Sequence, residues 1–121
     1  MQTRILVVDD EQSMREFLAI LLEREGYYVA QAENAEVALK LLESDTYDLV
    51  VSDVSMPGLT GMALLERIKT TTPETAVLMI TAYTTAEQAV EAMKLGAYDY
   101  IAKPFSPKEL MDSVDRIFSD A

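Results

Sequence analysis

The sequence predicts a doubly wound α/β fold, in which helices cover both faces of a five-stranded parallel sheet. Short apolar runs typical of buried strands alternate with stretches whose apolar residues recur at helical spacing. This alternation repeats five times in 121 residues, and no linker, repeat or low-complexity segment interrupts it. The strand order that best fits five such units is 2-1-3-4-5, which reverses between the first and third strands. We therefore expect residues 1–121 to form one domain, with no output domain in this chain.

The strands are predicted from short runs of apolar and β-branched residues. In a sheet with this order, ligands bind beyond the carboxyl ends of the strands, close to the point where the order reverses. Residues that follow the strands are therefore the first place to look for a functional site. The predicted strands are residues 5–8, 28–32, 49–52, 76–80 and 99–102.

The first three helices are predicted from apolar stripes and from their start and stop signals. Gly26 ends the first helix, because glycine readily adopts the backbone conformation that follows a helix. The second helix covers residues 35–43, and the third begins near Thr60 and Gly61. The residues expected to face the core are Met14, Phe17, Leu18, Leu21 and Leu22 in the first helix, Ala35, Ala38, Leu39 and Leu42 in the second, and Gly61, Leu65 and Ile68 in the third.

The last two helices begin with capping signals. Thr85 and Gln88 have the spacing of a capping box at the start of the fourth helix. Ser106 is the predicted cap of the fifth, with Pro107 in the first turn and Glu109 three residues after the cap. The predicted apolar stripes are Ala86, Ala89, Val90 and Met93 in the fourth helix and Leu110, Val114, Ile117 and Phe118 in the fifth.

The composition excludes several classes of function. The chain has no histidine, and so lacks the usual general base, the usual transition-metal ligand and any phosphohistidine carrier role. It has no cysteine, which excludes disulfides and thiolate metal sites and suits a reducing cytoplasm. A net charge of −11 repels a phosphate backbone, so we expect this domain to bind no nucleic acid. No apolar run approaches the roughly 18 residues of a membrane span, and the first residues do not have the layout of a signal peptide.

Chemically capable side chains follow four of the predicted strands: Asp9 and Asp10, Asp53, Thr81, and Lys103. Three carboxylates, one hydroxyl and one ammonium are the groups needed for a magnesium-assisted phosphoryl transfer onto a carboxylate. Asp53 ends a buried strand beside two other acids, a costly arrangement without a cation because like charges raise one another's pKa. We therefore predict that Asp53 is the nucleophile. Because adjacent side chains of an extended chain point apart, we predict that Asp10 binds Mg²⁺ directly and Asp9 through water.

Each of these residues also has an ordinary structural explanation. Asp9 and Asp10 favour the dipole of the helix that follows them, and Asp53 could stabilise the turn after its strand. Threonine is common in strands because it is β-branched, which would explain Thr81, and Lys103 could be a surface lysine. The occurrence of all of them at strand ends favours the functional interpretation.

Lys103 precedes Pro104, and we hypothesise that the peptide bond between them is cis. A cis bond would direct the Lys103 side chain back over the strand ends. Its ammonium would then balance negative charge on the transferring group. The hydroxyl of Thr81 could bond a phosphoryl oxygen at the same place.

The arrangement resembles the receiver domains of two-component response regulators, and the resemblance covers the whole chain. Receiver domains share the strand order predicted above, which is that of the flavodoxin-like fold. Residues 92–101 (AMKLGAYDYI) are most similar to receivers that feed ATPase-type transcription activators. The stretches that carry the family resemblance are residues 7–11 (VVDDE), 52–58 (SDVSMPG), Gly61, residues 81–82 (TA) and residues 103–105 (KPF).

The resemblance implies that Asp53 accepts a phosphoryl group from a sensor histidine kinase. It also implies that Asp9, Asp10 and Asp53 bind Mg²⁺ and that the backbone carbonyl of Ser55 is a further ligand. Such a domain is a phosphoprotein switch and not an enzyme, because it catalyses only its own phosphorylation and dephosphorylation. The output implied is regulation of transcription, and the alternative is a stand-alone receiver that acts by protein contact.

The resemblance further implies a switch in which Thr81 moves toward the phosphoryl group and Tyr100 turns inward. Tyr100 could equally be an ordinary half-buried aromatic residue of a strand. Ser55 and Tyr83 lie two residues beyond Asp53 and Thr81, and we predict that they tune the lifetime of the phosphorylated state. The fourth helix, fifth strand and fifth helix form the predicted partner surface, including that of a homodimer.

Three other functions are compatible with parts of the pattern. A phosphatase with an aspartate nucleophile needs a second acid two positions on, where Ser55 stands. A flavodoxin-like FMN-binding protein needs a first β-α loop rich in Ser, Thr and Gly, whereas residues 9–12 read DDEQ. A relict adaptor without phosphorylation would not be expected to keep every chemical position intact.

Overall fold

A computed structural model describes residues 2–56, 58–82 and 86–119. Its sheet has five parallel strands in the order β2-β1-β3-β4-β5, which confirms the predicted topology. The strands are β1 (Arg4–Val8), β2 (Tyr28–Ala32), β3 (Leu49–Asp53), β4 (Ala76–Thr81) and β5 (Asp99–Ala102). The helices are α1 (Gln12–Arg24), α2 (Ala35–Ser44), α3 (Gly61–Thr71), α4 (Ala86–Lys94) and α5 (Pro107–Ser119).

The alternation of side chains along β1 and β3 divides the core into two layers. Leu6 and Val50 face the layer formed with α2, α3 and α4. Ile5, Leu49 and Val51 face the layer formed with α1 and α5. Both layers are built from fully buried side chains, so the central strands are fixed on both faces.

Helix ends follow the predicted local signals. Gly26 has a φ of 92°, a conformation that glycine adopts without steric cost. Thr60, at the predicted start of α3, caps that helix by accepting a hydrogen bond from the backbone N–H three residues on. Asn34, which is not among the predicted caps, does the same for α2. At α5 the Glu109 N–H donates to Ser106 Oγ at 3.1 Å, and the Ser106 N–H donates to Glu109 Oε1 at 3.3 Å, which confirms the capping box. Thr85, the predicted cap of α4, lies outside the described residues.

The predicted stripe of α4 is wrong. Val90 and Met93 are 52% and 49% exposed, and Ala86 is also exposed, whereas Ala92 is fully buried. Two faces of this short helix have apolar residues at helical spacing, so periodicity alone does not identify the packed one. The buried face is the one with the small side chain of Ala92, which lets the helix backbone lie close to the sheet.

The stripe of α1 is correct for Leu18 and Leu22, which are buried, but less so for Phe17. Phe17 is 39% exposed, and its ring lies 6.5 Å from the ring of Phe105, in the segment after β5. It therefore packs at the rim of the α1 layer rather than inside it. The predicted inward residues of α3 and α5 are confirmed, with Phe118 half-buried.

Within the described part of the chain, every helix is too short or too polar to cross a bilayer.

Candidate metal centre

Sheet register brings the polar strand ends together. Val8 pairs with Ser52, so Asp9 and Asp53, the next residues along these strands, are neighbours. Asp53 pairs with Ile80, directly before Thr81, and Thr81 pairs with Ala102, directly before Lys103. Residues separated by up to 94 positions in the sequence thus meet at one edge of the sheet, as the sequence predicts.

Three carboxylates form the centre of this site. Oxygen atoms of Asp9, Asp10 and Asp53 all lie within 4.8 Å of one another. Asp9 is 2% and Asp53 7% exposed, whereas Asp10 is exposed to solvent. Hard oxygen ligands with one open, solvated side are the donor set that Mg²⁺ prefers, because this ion keeps several waters. The residues present therefore fit a magnesium ion.

The Lys103 ammonium lies between two of the carboxylates, and the Lys103–Pro104 peptide bond is cis, as hypothesised. Its Nζ is 3.4 Å from Asp53 Oδ2 and 3.5 Å from Asp9 Oδ2. Both distances exceed the roughly 2.7–2.9 Å of a tight charge-assisted hydrogen bond, so the amine is shared rather than committed to one partner. Burial lowers the pKa of Lys103, but the two carboxylates outweigh it and hold that pKa above its ordinary value. The lysine is therefore charged at neutral pH.

Asp9 is fixed from several sides. Its N–H donates to the Ala32 carbonyl at 3.2 Å, and its Oδ1 accepts the Glu11 N–H at 2.9 Å. Burial raises the pKa of Asp9, the Glu11 N–H and Lys103 lower it, and Asp53 raises it; the net effect is an increase. Without a metal ion, the ionised Asp9 is thus held at a cost in free energy.

At Asp53 the backbone at the end of β3 is in close contact with the backbone at the start of α3. Asp53 Oδ1 accepts the Ser55 N–H at 3.1 Å, and the Gly61 N–H donates to the Val54 carbonyl at 3.0 Å. A Cβ atom added to Gly61 would lie 2.0 Å from the Asp53 carbonyl oxygen and 2.8 Å from Val54 Cα. The first turn of α3 therefore packs against the end of β3 with no room for a side chain.

Thr81 and Tyr100 are neighbours on β4 and β5. Thr81 is fully buried, and the hydroxyl oxygen of Tyr100 is enclosed within the protein. Burial raises the pKa of Tyr100, and the neighbouring Thr81 lowers it by less. The Tyr100 ring packs against the layer formed with α2, α3 and α4. In this structure Tyr100 thus already lies inward, next to Thr81.

Ser55 is exposed, and it lies beside Asp53 on the side from which water can reach the carboxylate. Tyr83, the other residue predicted to affect lifetime, lies outside the described residues. Pro57, part of the stretch that carries the family resemblance, lies outside them as well.

Two residues that hold the loops of the site are not singled out by the sequence. Arg15 of α1 donates from Nη1 to the Asp9 carbonyl at 2.8 Å. Glu36 of α2 accepts the Leu59 N–H at 3.1 Å, which ties α2 to the loop after Asp53. The sequence shows only that Arg15 is one turn into the helix after the acids, a position from which a long side chain can reach back.

Comparison with known proteins identifies a single family. The model of the response regulator receiver domain matches residues 5–115. The response regulator protein FleR of Pseudomonas aeruginosa is 42% identical over 116 residues, which are 96% of this chain and 24% of FleR. The curated relatives that match are two to four times longer than this chain, which spans between 24% and 49% of them.

Solved structures agree in fold. The receiver domain of NtrX from Brucella abortus has a TM-score of 0.91 at 39% identity, with 97% of this chain and 99% of that chain covered. The Vibrio cholerae chemotaxis protein CheY4 also has a TM-score of 0.91, at 30% identity and with 97% and 99% covered.

Replacing Gly61 by Ala should disturb Asp53 directly. The added methyl group would overlap the Asp53 carbonyl, so we expect the free energy of unfolding in urea to fall by about 3 kcal/mol, the upper range for overpacking. The control is Gly26→Ala, where nothing lies within 4 Å of the added Cβ and only the positive φ is unfavourable, at roughly 1–2 kcal/mol. A Gly61→Ala protein as stable as the wild type would contradict the close approach.

Replacing Asp9 by Asn should stabilise the metal-free protein. Because the folded-state pKa of Asp9 is raised, the folded protein binds more protons than the unfolded chain, and stability falls as pH rises from the ordinary carboxyl range through that raised pKa. At neutral pH the ionised Asp9 is therefore unfavourable, and Asn removes the cost. Urea unfolding in a chelator at pH 7 should show greater stability for Asp9→Asn than for the wild type.

The matched control for that measurement is Asp115→Asn, an exposed acid of α5. Adding Mg²⁺ should stabilise the wild type more than Asp9→Asn. A loss of stability in Asp9→Asn without metal, with Asp115→Asn unchanged, would show that Asp9 is not destabilising in the fold.

Proposed function

Because the chain belongs to the response regulator receiver domain family, we propose that it is a phosphorylation-dependent signalling switch in which Asp53 accepts a phosphoryl group from a sensor histidine kinase. The observation that carries the proposal is the convergence of Asp9, Asp10 and Asp53 within 4.8 Å, with the Lys103 ammonium 3.4 Å from Asp53. Receiver domains are signalling switches and not metabolic enzymes, and in the chemistry proposed here the group taken from the phosphoryl donor is transferred to the chain itself.

In the proposed reaction an Asp53 carboxylate oxygen attacks phosphorus and forms a P–O bond. The P–N bond of a phosphohistidine breaks, and the imidazole leaves with the electron pair. Mg²⁺, held by Asp9, Asp10, Asp53 and the Ser55 carbonyl, would offset the negative charge of Asp53 and of the incoming group.

Two side chains supply the remaining contacts in this proposal. The Lys103 ammonium neutralises charge on the transferred group, for which it needs only a short movement from its place between Asp9 and Asp53. The Thr81 hydroxyl donates to a phosphoryl oxygen. Hydrolysis of the aspartyl phosphate by water then resets the switch.

The conformational signal is proposed to run from Thr81 to Tyr100. Their contact on β4 and β5 supports this, because a Thr81 side chain that moves toward the phosphoryl group must change its contact with Tyr100. The readout surface proposed is α4, β5 and α5, where Val90 and Met93 are exposed. This surface would bind a second copy of the chain or an output module.

Regulation of transcription is the output that we favour. FleR is a response regulator, and the curated relatives ZraR and AtoC are named as regulatory proteins of which this chain covers about a quarter. The alternative, a stand-alone receiver acting by protein contact, is supported by CheY4, a chemotaxis protein covered over 99% of its length. In either case the net charge of −11 argues against nucleic-acid binding by this domain. The cytoplasm is the location that we propose, and the lack of cysteine suits its reducing conditions.

The central test is incubation with acetyl phosphate and Mg²⁺ followed by intact mass measurement. We expect one phosphoryl adduct in the wild type, none in Asp53→Asn and none when a chelator removes the metal. Asp115→Asn, which removes an exposed acid far along α5, should be phosphorylated like the wild type. An adduct that persists in Asp53→Asn would overturn the assignment of the phosphoacceptor. Native sizing with and without beryllofluoride then shows whether the phosphorylated form is the dimer.

The lifetime proposal has its own test. Replacing Ser55 and Tyr83 together by Ala should change the rate at which the adduct is lost, because both residues lie two positions beyond groups that contact the phosphoryl. Thr70→Ala, an exposed change in the last turns of α3, should leave that rate unchanged. An unaltered rate in the double variant would remove both residues from the mechanism.

A further inference from the structure

We propose that Arg15 is a positioning residue for the metal site: its guanidinium fixes the Asp9 carbonyl and thereby sets the direction in which the Asp10 carboxylate points. This proposal rests on the proposed function, since it assumes that Asp9 and Asp10 hold a divalent cation. It gives α1 a part in cation binding, in addition to that of the acids.

The contact itself is short and partly sheltered from water. Arg15 lies in the second turn of α1, and its Nη1 donates to the Asp9 carbonyl oxygen at 2.8 Å. The Arg15 side chain is half-buried. A hydrogen bond from a charged donor at this distance is among the stronger kinds, roughly twice as strong as a neutral one.

Arg15 completes the attachment of Asp9. The Asp9 N–H is bound to Ala32, its Oδ1 to the Glu11 N–H, and its Oδ2 is near Lys103. The carbonyl is the remaining polar group of the residue, and Arg15 occupies it. With all four held, Asp9 has little freedom to change its backbone or side-chain conformation.

Fixing the Asp9 carbonyl also restricts the next residue, Asp10. The Asp9 carbonyl belongs to the planar peptide group that joins Asp9 to Asp10. Fixing that oxygen therefore fixes the orientation of the peptide plane that leads into Asp10. Asp10 is exposed and accepts no hydrogen bond from the part of the chain that the structure describes. The direction of its carboxylate is therefore set by the backbone conformation and not by hydrogen bonds to the carboxylate itself.

The start of α1 makes this attachment more important. Glu11 is the N-cap residue of α1, and its side chain makes no capping hydrogen bond. At α2, α3 and α5, by contrast, a capping side chain joins the loop to the helix. At α1 the bond from Arg15 to Asp9 joins helix and loop instead. Partners that orient the ligands of a metal in this way are commonly needed for affinity.

Two physical explanations predict opposite results for removal of Arg15. If Arg15 acts only through its positive charge, its loss should strengthen Mg²⁺ binding, because the site becomes more negative. If Arg15 acts by positioning, its loss should weaken binding, by about tenfold, the lower end of the range for residues that support metal ligands. The sign of the change separates the two explanations.

The experiment is a titration of the whole 121-residue chain with Mg²⁺ by calorimetry, with parallel measurement of the Mg²⁺ dependence of acetyl phosphate labelling. For Arg15→Met we expect the dissociation constant and the half-saturating Mg²⁺ concentration to rise about tenfold. The labelling rate at saturating Mg²⁺ should stay at the wild-type value, because Asp53, Thr81 and Lys103 are untouched. Arg15→Lys keeps the charge but not the planar fork, so an intermediate rise of about threefold is expected.

Arg24→Met is the matched control, since it removes the same charge from the exposed last turn of α1. Unchanged or tighter Mg²⁺ binding in Arg15→Met would overturn the proposal, and Arg15→Lys decides it if Arg15→Met does not fold. The proposed function is judged separately: if wild-type protein binds Mg²⁺ but Asp53 is not labelled, phosphorylation fails while the comparison of Arg15 variants still stands.

Discussion

The main physical constraint on this structure is the repulsion among the carboxylates of Asp9, Asp10 and Asp53, which the sheet holds close together. Two unit charges 4.8 Å apart repel by about 3 kcal/mol at an effective dielectric constant near 20. Lys103 offsets part of this repulsion by lying between Asp9 and Asp53, at distances too long for a tight pair with either. Burial is the main reason that the pKa of Asp9 is raised, and the nearby Asp53 raises it further. The negative charge that Lys103 leaves uncompensated makes the site attractive to a divalent cation. Affinity for the ion and cost to the metal-free fold thus have the same origin.

The topology makes this convergence unavoidable once the strands form. Where the order reverses between β1 and β3, the chains leaving the two strands turn to opposite faces and leave a crevice between them. Asp9 and Asp53 flank that crevice, and β4 and β5 add Thr81 and Lys103 from one side. The backbone bond from Lys103 N–H to the Thr81 carbonyl, at 2.7 Å, keeps these last two ends in register. The residues of the candidate site are therefore placed by strand pairing rather than by loop conformation.

Most of the fold and most of the site could be predicted from the sequence, because both depend on local patterns. Apolar runs and caps such as Ser106 with Glu109 define the elements, and parallel strands bring their last residues to a common edge. The packed face of α4 could not be predicted, since two faces of that helix have similar spacing and only the space above the sheet selects Ala92. Arg15 and Glu36 could not be predicted either, because their contacts depend on how far a flexible side chain reaches once the helices are packed.

The absence of a side chain at Gly61 has a mechanical consequence. With backbone against backbone, α3 and the end of β3 have no layer of side chains between them that could rearrange, and they must shift together. Toward β4 and β5, by contrast, the neighbours of the site are the side chains of Thr81 and Tyr100. The close contact at Gly61 therefore couples the end of β3 to α3, so that a displacement of one is passed directly to the other.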